Sequence, residues 1–425
     1  MVAFPCPGGR IAIVGVGYTG LPLALGFATA GLTAVCLDND AEKIAALAER
    51  RSYLPDVSDA ELGAEAQKLI PTTDPQTLAS VDAIVICVPT PLTETGEPDL
   101  AAVFAATDAV GPRLRRGSVV VLQSTVPPGT TAGLAQRLHE LSGLRAGVDF
   151  HLAHAPERID PANKAGWTLA NTPKLIGGLT PACAAAGAEL FGLVTEQIVP
   201  VSSLEVAETA KVYENTFRMV NIALTYELAD LCRELGISVN DVIDAAATKP
   251  YGFLAHRPGP GVGGECIAVD PMFLRYVAEG TGVSLPMITQ AYQRIRSRPE
   301  TVTERLADLL RDEGSDLAGS RVLVVGAAYK PGVGDTRNAP AIDLIRALRA
   351  GHAKVSYTDP MVSNLVVDDE VVPRVDWDRE SVSTFDCLVL TTPHEQIMRR
   401  PLWYAAPMLL DCWNVVTAGD GVVHL

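Results

Sequence analysis

The spacing of hydrophobic and polar positions changes twice along the chain. In the first part, short apolar runs such as Ile11–Val14 alternate with amphipathic stretches, a pattern typical of strands followed by helices. From Ser202 to Gly236 no proline interrupts the chain, which predicts one long helix that begins at a capping box and ends at a glycine. Its apolar residues recur at helical spacing: Leu204, Ala207, Ala210, Phe217, Leu224, Leu228 and Leu231. From Arg321–Gly326 onward the alternation of strands and helices resumes.

This order of elements predicts the fold class. Strands that alternate with helices form parallel sheets, because parallel neighbours need a crossover connection. We therefore expect an α/β protein with two Rossmann-like, doubly wound parallel-sheet domains joined by a long central helix. The expected boundaries are residues 1–200 for the first domain, 201–300 for the central helical part and 318–425 for the second sheet domain.

The first glycine-rich turn has the pattern of a dinucleotide-binding site. Gly15, Gly17 and Gly20 lie between the first predicted strand and its helix, and Asp38 ends the returning strand. Glycines at these places let a pyrophosphate approach the helix N-terminus, where free N–H groups and the helix dipole favour anions. The carboxylate accepts hydrogen bonds from the adenosine ribose, which favours NAD over NADP. A glycine turn that only packs tightly is the alternative interpretation.

A second glycine-rich segment, Pro258–Pro271, lacks a helical or strand pattern and carries Cys266. Asp270 and Pro271 are typical of a helix start, with the carboxylate as N-cap and the proline at the first helical position. A thiol beside a helix N-terminus can be stabilised as a reactive thiolate. Taken alone, however, the same residues also fit a buried cysteine and a simple helix cap.

Composition and charge argue against several functions. The formal net charge of −16 disfavours a nucleic-acid-binding surface, which needs a basic patch. No apolar run approaches the ~20 residues that span a bilayer, and residues 1–10 lack a signal-peptide core, so we expect no membrane association. The scattered cysteines form no C-x-x-C pair, which favours a cytoplasmic protein and predicts neither a metal site nor a disulfide framework.

The motifs together resemble those of the UDP-glucose/GDP-mannose dehydrogenases, which are nucleotide-sugar 6-dehydrogenases. The resemblance runs from Arg10 to about Leu410. Besides the dinucleotide fingerprint it rests on Ser124–Thr130, Pro156–Arg158, Ala207–Leu235, Gly261–Pro271 and Gly326–Pro340. Thr248–Phe253 and Glu214–Asn221 look most like the branch that oxidises UDP-N-acetylhexosamines. The resemblance also implies that residues 318–425 bind the UDP part of the substrate.

The activity that the resemblance implies is a four-electron oxidation of a sugar C6 alcohol to the carboxylate, with two NAD+ used in turn. The first oxidation gives an aldehyde that a thiol traps as a thiohemiacetal, and the second gives a thioester that water hydrolyses. By resemblance Cys266 is the nucleophile, and Lys211 and Asn215 stabilise the developing oxyanion. Asp270 orients or activates a water.

Further roles follow from the resemblance alone. Glu157 is the base for thioester hydrolysis, and Thr125 helps to place the water. The implied cofactor contacts are Gly15, Gly17, Gly20, Asp38, Lys43, Thr90, Thr125 and Arg337. The implied substrate contacts are Glu157, Lys211, Asn215, Arg257, Gly263 and Lys330. We also expect a homodimer that pairs through the central helix.

Three residues depart from the family pattern. Glu265 stands where histidine or serine is usual, Arg296 where asparagine is common, and Trp413 where arginine is frequent. We hypothesise that Arg257 neutralises Glu265. The sugar stays open between the UDP-GlcNAc and UDP-ManNAc types, with UDP-glucose or dTDP-glucose as alternatives. Two other functions are alternatives. The first is a two-electron β-hydroxyacid dehydrogenase, but that class needs no catalytic thiol. The second is a non-enzymatic NAD-binding scaffold, but such a protein does not need the complete catalytic set that this chain retains.

Overall fold

The computed structural model describes residues 8–54, 56–159, 166–264, 266–417 and 419–425, with the backbone alone for Cys266. The chain divides into two compact units. The first comprises Met1–Glu214 and Met272–Ser284, and the second comprises Asn215–Pro271 and Leu285–Leu425.

Eight strands of the first unit form one sheet. They are β1 (Arg10–Val14), β2 (Thr33–Leu37), β3 (Leu69–Thr72), β4 (Ala83–Ile86), β5 (Val119–Leu122), β6 (His151–His154), β7 (Lys174–Gly178) and β8 (Ile198–Pro200). The strand order is β3-β2-β1-β4-β5-β6-β7-β8, and all neighbours are parallel except β6 and β7. Because the winding direction reverses between β1 and β4, a crevice opens at the carboxyl ends of these strands, where such sheets bind ligands.

The helices of the first unit cover both faces of this sheet. They are α1 (Gly20–Thr29), α2 (Ala41–Ala48), α3 (Asp59–Glu65), α4 (Ala101–Val110), α5 (Thr130–Ser142) and α6 (Pro181–Phe191), with 3-10 turns at Pro75–Ser80 and Gly111–Arg113. In β1 the side chains of Ile11 and Ile13 enter one core with Phe27, whereas Ala12 and Val14 enter the core on the opposite face. This period of two explains why the strands are apolar on both sides.

The second unit contains a five-stranded sheet of its own. The remaining strands are β9 (Arg321–Val325), β10 (Lys354–Thr358), β11 (Val366–Val367), β12 (Glu370–Val371), β13 (Cys387–Leu390), β14 (Leu409–Asp411) and β15 (Val422–His424). The sheet order is β10-β9-β13-β14-β15 with every pair parallel, and β11 and β12 form a separate antiparallel pair. Two sheets, the first parallel except at β6 and β7 and the second parallel throughout, with helices between their strands, confirm the predicted fold class.

The helices after β8 include the predicted long one. They are α7 (Leu204–Leu235), α8 (Val239–Ala247), α9 (Cys266–Thr281), α10 (Pro286–Arg296), α11 (Arg298–Asp312), α12 (Pro340–Ala350), α13 (Arg379–Val382) and α14 (Glu395–Met398), with a 3-10 turn at Trp403–Ala405. Helix α7 has 32 residues. Within the described residues no helix is both long and apolar enough to cross a membrane.

The apolar residues of α7 do not all lie on its packed face. Met219 and Tyr226 are fully buried in a small core, whereas Leu224 and Leu231 are 61% and 56% exposed. The helical spacing of apolar residues therefore predicts the helix correctly. It does not distinguish the apolar residues on the buried face from those that form an exposed apolar stripe.

The predicted helix start at Asp270–Pro271 is wrong. Helix α9 begins at Cys266, and Pro271 lies inside it. A proline there has no N–H to donate to the carbonyl of Ile267, so the helix loses one hydrogen bond near its N-terminus. The consequence for function is that Cys266 is the first residue of a helix.

Candidate functional site

The turn between β1 and α1 depends on two glycines for its shape. Gly15 has a positive φ of 89°, and a Cβ built on it lies 2.7 Å from the carbonyl oxygen of Cys87. A Cβ on Gly20 lies 1.9 Å from the carbonyl oxygen of Gly15. Side chains at both positions are therefore excluded by backbone atoms. A Cβ on Gly17 has no heavy atom within 4 Å, so this glycine faces open space.

The N-terminus of α1 has the properties of an anion site. Its N-cap residue Thr19 makes no side-chain cap hydrogen bond, and the first turn of this described helix contains no acidic residue. The positive end of the helix dipole and the open side at Gly17 thus face the same turn. This arrangement fits the pyrophosphate of a dinucleotide.

Asp38 is held at the end of β2 by backbone donors. Its Oδ2 accepts the N–H of Val16 at 2.9 Å, and its Oδ1 accepts the N–H of Asp40 at 3.0 Å. The Lys43 ammonium lies 3.8 Å from Oδ2 and is about one-third exposed. The carboxylate is therefore oriented by the same turn that carries the glycines, which suits it to a ribose hydroxyl.

The loops after β4 and β5 are joined by hydroxyl groups. Thr90 Oγ1 donates to the carbonyl oxygen of Thr125 at 2.6 Å, and Ser124 Oγ donates to the carbonyl oxygen of Val88 at 2.7 Å. Two predicted cofactor contacts, Thr90 and Thr125, thus lie side by side at the carboxyl edge of the first sheet.

The loop after β6 carries a largely buried carboxylate, Glu157, whose side chain is 18% exposed. Its Oε2 accepts hydrogen bonds from Gln123 Nε2 at 2.7 Å and from Lys174 Nζ at 3.1 Å. Its Oε1 accepts the backbone N–H groups of Arg158 and Ile159 at 2.8 and 3.0 Å. Burial alone raises the pKa of Glu157, but Lys174 and the backbone donors outweigh it, so the pKa is lowered and the group is ionised.

The first turns of α7 are anchored to the first sheet by two carboxylates. Glu208, which is 1% exposed, accepts the N–H of Gly129 at 2.6 Å and of Thr131 at 2.8 Å, at the N-terminus of α5. Arg158 makes two hydrogen bonds to the carboxylate of Glu214, at 2.6 and 3.2 Å. Lys211 lies between these anchors and is only 9% exposed, so its ammonium is not an ordinary solvated charge.

In the second unit, two predicted catalytic residues are in direct contact. Asn215 Nδ2 donates to Asp270 Oδ2 at 2.5 Å, which links α7 to the first turns of α9. Cys266 opens α9 one turn before Asp270, but its side chain lies outside the described part of the chain, as does all of Glu265. The dipole of a helix N-terminus lowers the pKa of a thiol placed there.

The glycine segment before Cys266 packs on the second sheet's first turn. A Cβ on Gly263 lies 2.7 Å from Tyr329 Cβ and 2.8 Å from the Asn338 carbonyl oxygen. The N–H of Gly264 donates to the carbonyl oxygen of Arg337 at 3.1 Å. The predicted contacts Gly263 and Arg337 are therefore neighbours. Lys330 lies beside them along the turn, with its ammonium 5.6 Å from the Tyr329 ring centroid.

Two predicted contact residues, Arg337 in this turn and Arg257 in the preceding loop, are paired with aspartates. Arg337 donates four hydrogen bonds to Asp335, one from its backbone at 2.9 Å and three from its guanidinium at 3.0, 3.0 and 2.6 Å. Arg257 donates to the carboxylate of Asp244. Asp244 is thus a partner of Arg257 that the sequence hypothesis did not include, and Glu265, the partner it did name, lies outside the described residues.

The second sheet has an aspartate in the place that Asp38 has in the first. Asp359 follows β10, and its Oδ2 accepts the N–H groups of Ala327 and Ala328 and a hydrogen bond from His394 Nε2. Its Oδ1 accepts two further N–H groups, at 2.7 and 2.9 Å. Burial raises the pKa of Asp359, but these donors outweigh it and the pKa is lowered. Because its oxygens accept five internal hydrogen bonds and the residue is only 1% exposed, Asp359 is closed to a ribose.

Two of the three departures from the family pattern, Trp413 and Arg296, lie in the described part of the chain and have structural partners. The Trp413 ring lies 3.1 Å from a Cβ built on Gly259, and its Nε1 donates to the carbonyl oxygen of Thr391 at 2.8 Å. Arg296 contacts Asp343 at 3.5 Å. Trp413 thus packs against the loop that carries Arg257, a residue that the resemblance assigns to the substrate.

Comparison with known proteins places the chain in a family. Profiles of the UDP-glucose/GDP-mannose dehydrogenase family match residues 9–195 (NAD binding domain), 205–294 (central domain) and 323–418 (UDP binding domain). A UDP-N-acetyl-D-glucosamine 6-dehydrogenase of Pseudomonas aeruginosa is 36% identical over 83% of each chain. A UDP-N-acetyl-D-mannosamine dehydrogenase of Pyrococcus horikoshii is 33% identical, over 91% of this chain and 90% of the relative.

Solved structures agree with this assignment. A UDP-D-ManNAc dehydrogenase of Pyrococcus horikoshii superposes with a TM-score of 0.89 over 98% of each chain, at 31% identity. The chain belongs to the UDP-glucose/GDP-mannose dehydrogenase family. It is an NAD-dependent nucleotide-sugar dehydrogenase, as the sequence motifs predict.

Several residues of the site carry no sequence motif. They are Gln123, Lys174 and Glu208. Each acts through a partner distant along the chain, so only the folded structure identifies it. Lys174 is the first residue of a strand and looks in sequence like an ordinary charged strand end.

Proposed function

We propose that this chain oxidises the C6 alcohol of a UDP-N-acetylhexosamine to the corresponding uronic acid, through a thioester on Cys266. The observation that carries the proposal is the hydrogen bond between Asn215 and Asp270 in the helix that Cys266 opens. It joins an amide donor and a carboxylate within the second unit, one helical turn after residue 266. Bound NAD+ supplies the oxidant by accepting a hydride in each of the two oxidations.

The chain's own residues supply the nucleophile, stabilise the developing charge and accept the proton. The Cys266 thiolate adds to the aldehyde carbon, and the Asn215 amide and the Lys211 ammonium stabilise the negative oxygen. Asp270 orients Asn215, since its Oδ2 accepts the amide hydrogen at 2.5 Å. Glu157 is ionised and therefore able to accept a proton from the water that hydrolyses the thioester. Thr125, fixed by Thr90, helps to place that water.

Three of the proposed substrate contacts lie in the second unit. Lys330 is a cation on the first turn of the second sheet, next to Gly263, and a lysine suits a phosphate group. We assign Lys330, Arg257 and Gly263 to the substrate and Arg337 to the cofactor. The closed carboxylate of Asp359 supports a nucleotide other than a second dinucleotide here.

The test is the yield of NADH with a panel of UDP-GlcNAc, UDP-ManNAc, UDP-glucose, dTDP-glucose and GDP-mannose. We expect two NADH for each substrate consumed, with one UDP-N-acetylhexosamine preferred. One NADH per substrate would support a two-electron β-hydroxyacid dehydrogenase instead. A clear preference for UDP-glucose or dTDP-glucose would overturn the assignment of the sugar.

We further propose a homodimer that pairs through α7. Phe217, Leu224 and Leu231 are each seven residues apart along the helix and are 43%, 61% and 56% exposed. A stripe with this period buries well against a second copy of the same helix. Leu224→Glu combined with Leu231→Glu should convert the dimer to a monomer in light scattering, whereas an unchanged mass would show that the helix does not form the interface.

A further inference from the structure

Strand β7 begins with a lysine whose ammonium group is buried. Lys174 Nζ lies 3.1 Å from Glu157 Oε2 and 5.0 Å from the centroid of the Phe191 ring, and its side chain is 4% exposed. A lysine buried in this way is costly unless a counter-charge compensates it. Glu157 provides that charge, so the two residues form an internal ion pair of the first unit.

The orientation of Glu157 is determined by four donors, of which Lys174 is the charged one. The others are Gln123 Nε2 and the backbone N–H groups of Arg158 and Ile159. Burial disfavours the ionised carboxylate, and the ammonium is the largest influence opposing burial. The protonation state of Glu157 therefore depends on Lys174.

We propose that Lys174 is a positioning residue for the hydrolytic half of the reaction, where its ammonium keeps Glu157 oriented and ready to accept a proton from water. This inference rests on the proposed function. In the step concerned, the water oxygen bonds to the thioester carbonyl carbon and the carbon–sulfur bond breaks. Sulfur leaves as the Cys266 thiolate, and the proton of the attacking water passes to Glu157.

One other charged group, Arg158, lies beside the pair, and its guanidinium is paired with the carboxylate of Glu214. Two further titratable groups near the pair, Cys87 and His154, are neutral. Burial raises the pKa of the Cys87 thiol, on which Lys174 and Glu157 act in opposite directions. Burial, assisted by Lys174, lowers the pKa of His154 to about 3, so this imidazole is uncharged at neutral pH. The charge balance at Glu157 is therefore set by Lys174.

The experiment removes the charge and follows hydrolysis. In Lys174→Met the largest influence opposing burial is lost, so the pKa of Glu157 should rise and the carboxyl group should take up a proton at a higher pH than in the wild type. The acidic limb of the kcat profile should move to higher pH. At pH 7 turnover should fall at least ~10-fold, while an acyl-enzyme accumulates in intact-protein mass spectrometry. The first NADH should form at the wild-type rate, since Glu157 acts only afterwards.

Matched variants separate a charge effect from a packing effect. Lys174→Arg retains the charge and should restore the pH profile, and Lys174→Gln retains a donor without the charge and should behave as Lys174→Met. Lys354→Met is the control, because Lys354 is likewise the first residue of a strand but is exposed. If Lys174→Met does not fold, Lys174→Gln serves as the test of the charge effect on Glu157.

Two results would overturn the inference. One is a folded Lys174→Gln variant with an unmoved acidic limb and no acyl-enzyme, while Glu157→Gln does accumulate the acyl-enzyme. In that case the role of Glu157 stands and that of Lys174 fails. The other is a Glu157→Gln variant that turns over without an acyl-enzyme, which rejects the base assignment and the inference with it.

Discussion

Replacement of Cys266 by serine is expected to lower the rate of acid formation by more than roughly 10,000-fold, since loss of a catalytic nucleophile costs on the order of a million-fold in kcat. A serine hydroxyl is hardly ionised at neutral pH, so it does not trap the aldehyde as a thiol does. The position of residue 266 at the start of α9 favours a thiolate but does not make an alkoxide accessible. The measurements are NADH per substrate and the aldehyde captured by a hydroxylamine.

Other cysteines supply the control for this variant. Burial raises the pKa of Cys36 and of Cys387 to about 12, so these thiols stay protonated. Cys232 is 2% exposed on α7, and Cys232→Ala should retain four-electron turnover. Full acid formation by Cys266→Ser would remove this cysteine from the mechanism.

The parts of the fold that follow from local patterns were predictable from the sequence. The β1 turn is an example, because its glycines, strand and acid are contiguous or nearly so, and Gly15 and Gly20 prove to be sterically required. The antiparallel pairing of β7 with β6 was not predictable, since Lys174–Gly178 carries the same kind of apolar run as a parallel strand. Strand direction is decided by the connection and not by the strand's own residues.

The helix at Cys266 shows a second limit of local reasoning. Asp270 followed by Pro271 has a strong local preference for a helix start, but the helix begins one turn earlier. The carboxylate of Asp270 instead bonds to Asn215, which is far away in the sequence. A tertiary hydrogen bond thus replaces the capping role that the local pattern indicates. The Lys174–Glu157 ion pair could not be predicted from the sequence either, because it is also a tertiary contact and each partner alone is an ordinary charged residue.

A buried charge network holds the loop that leads to Cys266. Arg298 is fully buried, donates to the carbonyl oxygen of Gly259 at 3.1 Å, and stacks on the Tyr226 ring at 4.5 Å. Its guanidinium also donates to Asp230 Oδ1 at 3.2 Å, and Asp230 accepts hydrogen bonds from Arg294 as well. Asp230 is thus the negative charge that compensates the Arg298 and Arg294 side chains.

Asp230→Ala should destabilise the second unit by about 3 kcal/mol, the lower end of the range for breaking a buried pair, because Asp230 is 25% exposed and water can partly replace it. The variant leaves the guanidinium of Arg298 buried without a counter-charge. Adding Arg298→Met should recover part of the loss, since an apolar side chain needs no partner. The measurement is urea unfolding followed by tryptophan fluorescence, which reports mainly on this unit through Trp377, Trp403 and Trp413.

The matched control is Asp308→Ala. Asp308 pairs with Arg311 on the surface, with both side chains more than half exposed, and its loss should change the free energy of unfolding by less than ~0.5 kcal/mol. If Asp230→Ala proves equally mild, the network does not stabilise the unit. If the double variant is less stable than Asp230→Ala alone, Arg298 contributes through its bond to Gly259 and its contact with Tyr226 more than its uncompensated charge costs. The expected order of stability is therefore wild type, then the double variant, then Asp230→Ala.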